Sequence, residues 1–552
     1  MDSGGLPGAP LVPVLGRPAV SHAVELLRRP TAPGADGVPA ISEIPVVLVT
    51  TDRHADDPIA SYAASASLPV FRGPAGDAAG RLLVAARQFE LDWMVALDEN
   101  AAIVDPQVVQ QAVAEVTAGQ PDRMSNVPNG TVPRGAGVSV CRTELLAGSP
   151  SRDAAERWHA LGQSSQPGLQ GVRLSLDTPA DRRLLEFCLR HVNEEPTRSV
   201  SSILDGLLER YSPPQPWVGS HGPLLVAEIG SNHEGDFGRA RVLTEQAIAV
   251  RPDFVKFQIY TGDSLVSPVA APDRHGHFRK FELTRDQHLE LAHMCGACGV
   301  GYMASVWDMS ALDWIDPVLE IYKVGSGDLV ATGILRKVAA RGKPILLSTG
   351  LATEREVLDA VDALVGVDDR YRRPEWLALL QCTSAYPIES RDANLAVMRR
   401  LHELTGLPAG YSDHTEGTVA LEVAAAAGAR ILEFHFTDRR ADPSFRDHRV
   451  SLVPDEVTRL QRYCDTVVRL TGSSRKRLLD VEESTGQLQG SRRGLYPARD
   501  LPSGHRLGVD DLVALRPNQG IDAREVDRLV GRRIVRALSA LAPIQWADLR
   551  EE

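Results

Sequence analysis

Between residues 224 and 436 the chain alternates a short apolar run with a helical pattern eight times over, and few folds accommodate that rhythm. The runs are LLVAEIG (224–230), FVKFQIY (254–260), VGYMASV (300–306), IYKVGS (321–326), PILLSTG (344–350), LALLQCT (377–383), PAGYSDH (408–414) and ARILEFHF (429–436). Apolar runs of this length, bounded by turn residues, read as buried strands. Helical periodicity fills the gaps, as in REVLDAVDALV (355–365) and TVALEVAAAAGA (418–429). Eight strand–helix units over about 240 residues are what a closed (β/α)8, or TIM, barrel requires. The alternative within the α/β class is an open, doubly wound sheet, because strand order is not written in the sequence.

A parallel barrel concentrates its chemistry at the C-terminal ends of its strands. Reading each run to its end gives a polar set: Glu228, with Asn232 and His233 in the loop; Lys256 and Gln258; Ser305; Lys323 and Ser326; Ser348; Thr383, Ser384 and Tyr386; Ser412 and His414; Glu433 and His435. A lone histidine in such a place is more often an ordinary satisfied side chain. Two on neighbouring strands, His414 and His435, are placed to offer two imidazoles to one divalent ion. Lys256 and Lys323 lie inside apolar runs, and a buried ammonium needs a counter-charge. Glu228 and Glu433 can supply it, or a phosphate or carboxylate ligand can, assisted by the hydroxyls; the two readings are compatible. An anion pocket beside a two-histidine metal site suggests a phosphorylated substrate whose reaction partner the metal polarises.

At 552 residues, 43% of them hydrophobic, the chain is long enough for several cores. Its net charge of -12 argues against a nucleic-acid surface. The six cysteines (141, 188, 295, 298, 382 and 464) are scattered and suggest no disulfide framework. Cys295 and Cys298 stand in CGAC at helical spacing without a partner pair for zinc, so they read as helix positions. There is neither a leader peptide nor a run of roughly 18 apolar residues, so a cytoplasmic protein without a membrane partner is expected. Proline and glycine in YSPPQPWVGSHGP (211–223), and the polar stretch following RLTG near residue 472, read as breaks between domains.

The motifs AEIGSNHEGD, VKFQ, YKVGSGD, ILLSTG, QCTSAYP, GYSDHT, EFHFT and RDHRVSL follow one another in that order. In this combination the central and C-terminal parts resemble the sialic acid synthase family. The end of the chain, RRGLYPARDLPSGHRLGVDDLVALRPNQGI, resembles the SAF (antifreeze-like) domain that follows the barrel in that family. The resemblance implies a reaction in which the enol carbon of phosphoenolpyruvate attacks the aldehyde of an open-chain N-acetylated hexosamine. Water then adds at C2 and phosphate leaves, giving a nonulosonic, α-keto acid sugar.

By position, the resemblance makes Glu228, Lys256, Lys323, His414 and His435 catalytic, with His414 and His435 holding Mn2+, or Mg2+ or Co2+ in its place. Lys256, Lys323, Ser326, Ser348, Ser384 and Ser412 would surround phosphoenolpyruvate. Glu228, Gln258, Asp328, Tyr386 and Asp447 would face the amino sugar, joined by Arg516 acting in trans within a domain-swapped homodimer. Departures from the family pattern bear on the acceptor: STPFD becomes ASVWD with Trp307, EKHFTLD becomes EFHFTDR with Phe434, GPDH becomes FRDH with Phe445 and Arg446, and an asparagine of some members is Ser384. They fit a pocket reshaped for an unusual sugar or natural-product aldehyde, or a weakened enzyme. N-acetylmannosamine, its 6-phosphate and diacetamido relatives all stay open as acceptors.

Before the barrel, LPGAPLVPVLGRPAVSHAVELLRR, VVLVTTD, VFRGPAGDAAGR, IVDPQVV and RLSLDTPADRRLL resemble a spore-coat-polysaccharide-type cytidylyltransferase, an α/β nucleotidyltransferase-like domain. The copy looks damaged. Most of the glycine- and arginine-rich loop is missing before Gly5, and Ala9 replaces a phosphate-binding lysine. Asn100 takes the place of a metal-binding aspartate, and Gly137 and Ser139 replace an acidic pair. Asp177 survives, and Asp98 and Glu99 are the nearest substitutes. Triphosphate chemistry needs metal ligands that this set does not supply, so an inactive domain is expected. The expected organisation is a nucleotidyltransferase-like domain at 1–205, a linker at 206–223, the barrel at 224–470, a linker at 471–490 and the SAF domain at 491–552. A bifunctional synthase and CMP-sugar synthetase, or a non-catalytic scaffold, are the competing functions.

Overall fold

A computed structural model describes residues 9–29, 40–97, 101–117, 123–125, 135–144, 159–160, 173–196, 200–211, 216–440, 445–474 and 476–550. All eight apolar runs form strands: β1 (Gly222–Glu228), β2 (Phe254–Ile259), β3 (Gly301–Val306), β4 (Tyr322–Val324), β5 (Ile345–Ser348), β6 (Leu377–Cys382), β7 (Ala409–Asp413) and β8 (Ile431–His435). Each pairs in parallel with the next, and β8 returns to pair with β1, with Glu228 opposite His435. The sheet is therefore a closed barrel, and the open doubly wound alternative is excluded.

Period-two alternation gives each strand one outward and one inward face. Outward residues such as Leu225, Ala227, Val255 and Phe257 pack under the surrounding helices. Inward residues divide by height. Low in the barrel, Leu224, Val226, Phe254, Met303, Ile321, Leu346, Ala378, Leu380 and Ile431 make a dry plug with Trp217. One inward step higher, the same strands present Glu228, Lys256, Ser305, Lys323, Ser348, Cys382, Ser412 and Glu433, all buried. Gly410 keeps the β7 backbone close inside this ring: a Cβ there would lie 2.4 Å from the Ile431 carbonyl oxygen. Capping starts the helices that follow the strands. Asp236 accepts from the Arg239 amide at 3.1 Å, and the Thr353/Glu356 and Thr284/Gln287 capping boxes do the same work further on.

The chain divides into two compact units, Met1–Ser474 and Arg475–Glu552. In the first unit, the N-terminal region has a parallel pair (Leu48–Thr51 with Val70–Gly73) and a four-stranded mixed sheet. Its helix α1 (Pro179–Glu194) begins on a Thr178/Asp181 capping box with proline in the first turn. Leu184, Leu185, Phe187, Leu189 and Val192 fill that region's core. Neighbouring residues of α1 meet the floor of the barrel instead. Arg182 donates to the Gly299 carbonyl, and Arg183 pairs with Glu320 at 3.1 Å and lies 4.7 Å over the Phe254 ring. Trp217 closes the floor and donates to the Pro374 carbonyl at 2.5 Å. Asp98, Glu99 and Asn100, on which the expected loss of a nucleotide–metal site depends, lie outside the described residues, as does Gly5. Ala9 is buried, Ser139 pairs with the Ser125 hydroxyl at 2.9 Å, and Asp177 accepts from the Ser175 hydroxyl at 3.0 Å.

His221 and Asp465 link the start of β1 to the last barrel helix at 2.9 Å. Burial alone would raise the Asp465 carboxyl, but His221 outweighs it and holds the group below its ordinary value. A depressed carboxylate contributes stability above its unfolded pKa and loses it as the pH falls. Asp465→Asn is expected to lower stability by about 1 kcal/mol at neutral pH, after allowance for partial solvent screening. The gap from the unmodified protein should close below about pH 4. Urea midpoints of both proteins across that range measure it.

In the second unit an antiparallel pair, Gly494–Pro497 with Leu512–Leu515, and bridges such as Leu501 with Leu538 enclose Leu495, Leu507, Ile521, Leu529, Ile534, Ile544 and Leu549. Arg516 follows the second strand and is exposed. Among the described residues, no helix is long and apolar enough to cross a membrane.

Candidate active site

The barrel register assembles the polar layer. Glu228 lies opposite Lys256, Ser305 opposite Lys323, and Ser412 opposite both Cys382 and Glu433. Lys256 Nζ lies 2.7 Å from Glu228 Oε2 and 3.2 Å from Glu433 Oε1. Lys323 Nζ lies 3.4 Å from Glu433 Oε2 and donates to Ser348 Oγ at 2.8 Å. Gln258 donates to Glu228 Oε1 at 2.7 Å. The result is one buried chain of alternating charge, running from Gln258 through Glu228, Lys256, Glu433 and Lys323 to Ser348.

The members of this chain are not equivalent. Burial disfavours the Lys256 ammonium, but its two carboxylate neighbours outweigh that and hold it above its ordinary value. Lys323 pairs with Glu433, but burial outweighs that attraction and, with the like charge of Lys256, lowers it. Burial would raise Glu433, yet the two lysines pull it down to about 2. Burial raises Glu228, reinforced by the charge of Glu433, and Lys256 does not fully reverse the shift. The two carboxylates are thereby pushed apart, Glu433 toward the ionised form and Glu228 toward the protonated one.

Next to Lys323, the Gly350 amide donates to Ser326 Oγ at 3.1 Å. A Cβ on Gly350 would fall 2.5 Å from Ser384 Oγ and 2.8 Å from Ser326 Oγ. Glycine thus leaves room for a cradle of hydroxyls beside an under-compensated ammonium, which is the composition an anion requires. Ser412 is buried beside it on β7.

His414 and His435 face each other with ring centroids 5.4 Å apart, and the Tyr386 ring lies 4.0 Å from the first and 5.7 Å from the second. His414 Nδ1 is 2.7 Å from the Thr383 carbonyl oxygen, which fixes the proton on Nδ1 and leaves Nε2 a free lone pair. His435 is held neutral, its pKa lowered to about 4 chiefly by burial, and its Nδ1 is buried without a partner. Burial would lower His414, but the Cys382 thiol, the Thr383 carbonyl and Asp413 outweigh it and hold the group above its ordinary value. It would therefore give up a proton on binding a divalent ion, whereas His435 offers a neutral imidazole directly; as nitrogen donors the two fit one ion. Among the described residues no group of three or more His, Cys, Asp or Glu is placed to hold a metal ion.

Asp447 opens a short helix after β8 and pairs with Arg446 at 3.2 Å. Asp328 accepts from the Trp307 side chain and feels the Lys323 charge. The sequence-predicted residues of the first unit therefore converge on one mouth, and Arg516 stands in the second unit. Glu433 is more central than its reading as a mere counter-charge implied. The alternation in ILEFH, which sets it on the same face as His435, is the signal that pointed to it. Cys382 is a residue the sequence left among scattered thiols: its Sγ lies 3.9 Å from His414 Nδ1. The Thr383 carbonyl has no side-chain signal at all.

A family model described as the NeuB family matches residues 243–476, and the SAF domain matches residues 492–550. The chain is 32% identical over 340 residues to the N,N'-diacetyllegionaminic acid synthase of Legionella pneumophila, covering 59% of this chain and 94% of that one. It is likewise 32% identical over 343 residues to the N-acetylneuraminate-9-phosphate synthase of Homo sapiens, covering 58% and 91%. In fold it resembles a putative spore coat polysaccharide biosynthesis protein E from Chromobacterium violaceum, with a TM-score of 0.53, 22% identity, and coverage of 60% of this chain and all of that one.

Proposed function

We infer the reaction from one premise: the chain belongs to the NeuB family, the synthases of sialic-acid-type sugars. Our reading is that it condenses phosphoenolpyruvate with the aldehyde of an N-acylated hexosamine, giving a nonulosonic acid and phosphate. The observation that carries this is the lysine pair bridged by Glu433 next to two facing imidazoles at the C-terminal end of a closed barrel.

Lys256 and Lys323, with Ser326, Ser348, Ser384 and Ser412, hold the phosphate and carboxylate of phosphoenolpyruvate. Glu433 keeps both ammonium groups in register without occupying the hydroxyl cradle. Glu228, Gln258, Asp328, Tyr386 and Asp447 face the sugar and orient its aldehyde toward the enol carbon. The new bond joins C3 of phosphoenolpyruvate to the aldehyde carbon, whose oxygen takes up a proton. Water adds at C2, and breaking the C2–O bond to phosphate releases phosphate and leaves the keto group. Glu228, with its raised pKa beside the mouth, suits the proton transfers. His414 and His435 would hold a divalent ion, Mn2+ first among the choices, which supplies Lewis-acid polarisation of the aldehyde oxygen. Arg516 of a partner subunit completes the sugar site in a domain-swapped homodimer, since a guanidinium fork suits a fixed acyl oxygen. The N-terminal region is a nucleotidyltransferase-like domain that has lost its activity. Cys188, Cys295, Cys382 and Cys464 are buried as free thiols, which supports a cytoplasmic setting.

Phosphate release from phosphoenolpyruvate with Mn2+, across a panel of N-acylated hexosamines, tests the reading. Release is expected with one class of sugar and is expected to vanish in His435→Ala. Silence across the panel in protein that binds Mn2+ and stays folded would favour a scaffold.

A further inference from the structure

The loop after β1 carries Asn232, which is fully buried and takes no part in the reaction as described above. Its side-chain nitrogen makes two contacts, 2.8 Å to the Phe436 carbonyl oxygen and 2.9 Å to Ser451 Oγ. A carbonyl only accepts, so the amide nitrogen must face this way, and both of its hydrogens are used. Ser451 Oγ donates its own hydrogen onward, to the Asp447 carbonyl oxygen at 2.6 Å. The relay therefore has one direction, from Asn232 through Ser451 to Asp447.

A second tie runs beside the first. His448 Nδ1 lies 2.8 Å from Thr437 Oγ1, and its Nε2 lies 3.3 Å from Glu234 Oε1, in the same loop as Asn232. Glu234 holds φ at 54°, a left-handed backbone that a residue with a side chain seldom adopts. Asp447 itself opens a helix of only four residues, Asp447–Val450. A single turn has no stability of its own, so its place is set by what grips it. The grip comes from Ser451, from His448 and from the Leu452 amide, which donates to the His435 carbonyl oxygen at 2.7 Å.

Stability alone does not account for Asn232. Its Oδ1 is buried without a partner. An orphaned acceptor costs about as much as two donated bonds return, so asparagine here is close to neutral for folding. What the side chain does is set a register. Glu228 stands four residues before it, Phe436 follows His435, and Ser451 leads to Asp447. The Phe436 amide already donates to the Glu228 carbonyl at 2.7 Å, so Asn232 adds a side-chain tie across the β8–β1 seam just where the site begins.

We propose that Asn232 is a positioning residue for the acceptor sugar: through Ser451 it fixes Asp447, and through Phe436 the backbone after His435, at a set height against Glu228. This rests on the synthase reading above. The test is Asn232→Ala, Ser451→Ala and the double variant, assayed with the fastest acceptor among the N-acylated hexosamines. Ser451→Ala keeps the bond to Phe436 and carries the test if Asn232→Ala fails to fold. kcat/KM for the sugar should fall by about 10–100-fold in each single variant, because a displacement near 1 Å away from the reacting atoms costs on that order. KM for phosphoenolpyruvate should stay within about twofold, since its cradle shares none of these bonds. The double variant should lose no more than the worse single one, because both break the same relay. Asp465→Asn, which loosens the first unit elsewhere, should leave both constants where they are. An unchanged sugar constant in folded protein, equal losses for sugar and phosphoenolpyruvate, additive losses in the double variant, or the same sugar defect in Asp465→Asn overturns the proposal and leaves the synthase intact. If the unmodified protein turns over no sugar, the synthase reading fails and hydrogen exchange decides the positioning alone. Peptides covering 445–452 should then lose protection by about tenfold in Asn232→Ala while those covering 322–348 keep theirs, and unchanged protection of 445–452 overturns it.

Discussion

Glu433→Ala is expected to destabilise the protein by about 3–5 kcal/mol, because it removes one partner from a buried ion network. Glu433 reaches both lysines, at 3.2 Å and 3.4 Å. Without it Lys256 keeps Glu228, but Lys323 loses its ion-pair partner and stays buried beside a like charge. The cost comes from that stranded ammonium more than from the lost attraction itself. Glu433→Gln keeps the shape and an acceptor oxygen, so it should lose less than the alanine variant while still weakening phosphoenolpyruvate binding by misplacing Lys323. Urea unfolding of the two variants, with KM for phosphoenolpyruvate alongside, checks both points. A change under about 1 kcal/mol in the alanine variant would mean that water or the hydroxyls already compensate Lys323.

Glu228→Gln should fold normally and lose about 10²–10⁴-fold in kcat, the usual contribution of a positioned proton carrier. The change preserves volume and leaves Lys256 paired with Glu433, so stability should move little. Gln258, 2.7 Å away, holds the side chain toward the mouth in either form. Steady-state rates at saturating phosphoenolpyruvate and sugar, with Mn2+ content measured on the same protein, separate a chemical defect from a binding one. A kcat within tenfold of the unmodified enzyme would remove Glu228 from the chemistry and leave it as a counter-charge for Lys256.

Much of this site was legible before any coordinates. Period-two alternation places Glu228, Lys256, Lys323, Ser348, Ser412 and Glu433 on inward faces, and the position of each within its run places it near the strand's C-terminal end. The family motifs supplied roles that alternation could not. Cys382 escaped because a single thiol in an apolar strand carries no signal until its neighbour is known. Trp307 and Phe445 stood out as departures bearing on the acceptor, but the packing of Trp307 on Tyr260 and of Phe445 on Phe281 was not legible, because these residues come from separate loops and a helix and nothing local to one announces the others.

The sequence by itself determined that eight strands would form, which face of each would turn inward, and that the inward faces would be apolar below and polar above. These depend on local periodicity and on the order of side chains along a few residues, which the chain carries everywhere with it. Only the tertiary structure decided that the sheet closes, because the β8–β1 pairing joins residues about 200 positions apart and no local pattern encodes a partner at that distance. Closure in turn set Glu433 between the two lysines, brought His414 and His435 face to face, and carried Phe445 across to Phe281. Each is a contact between side chains whose distance depends on the strand order and tilt of the whole barrel.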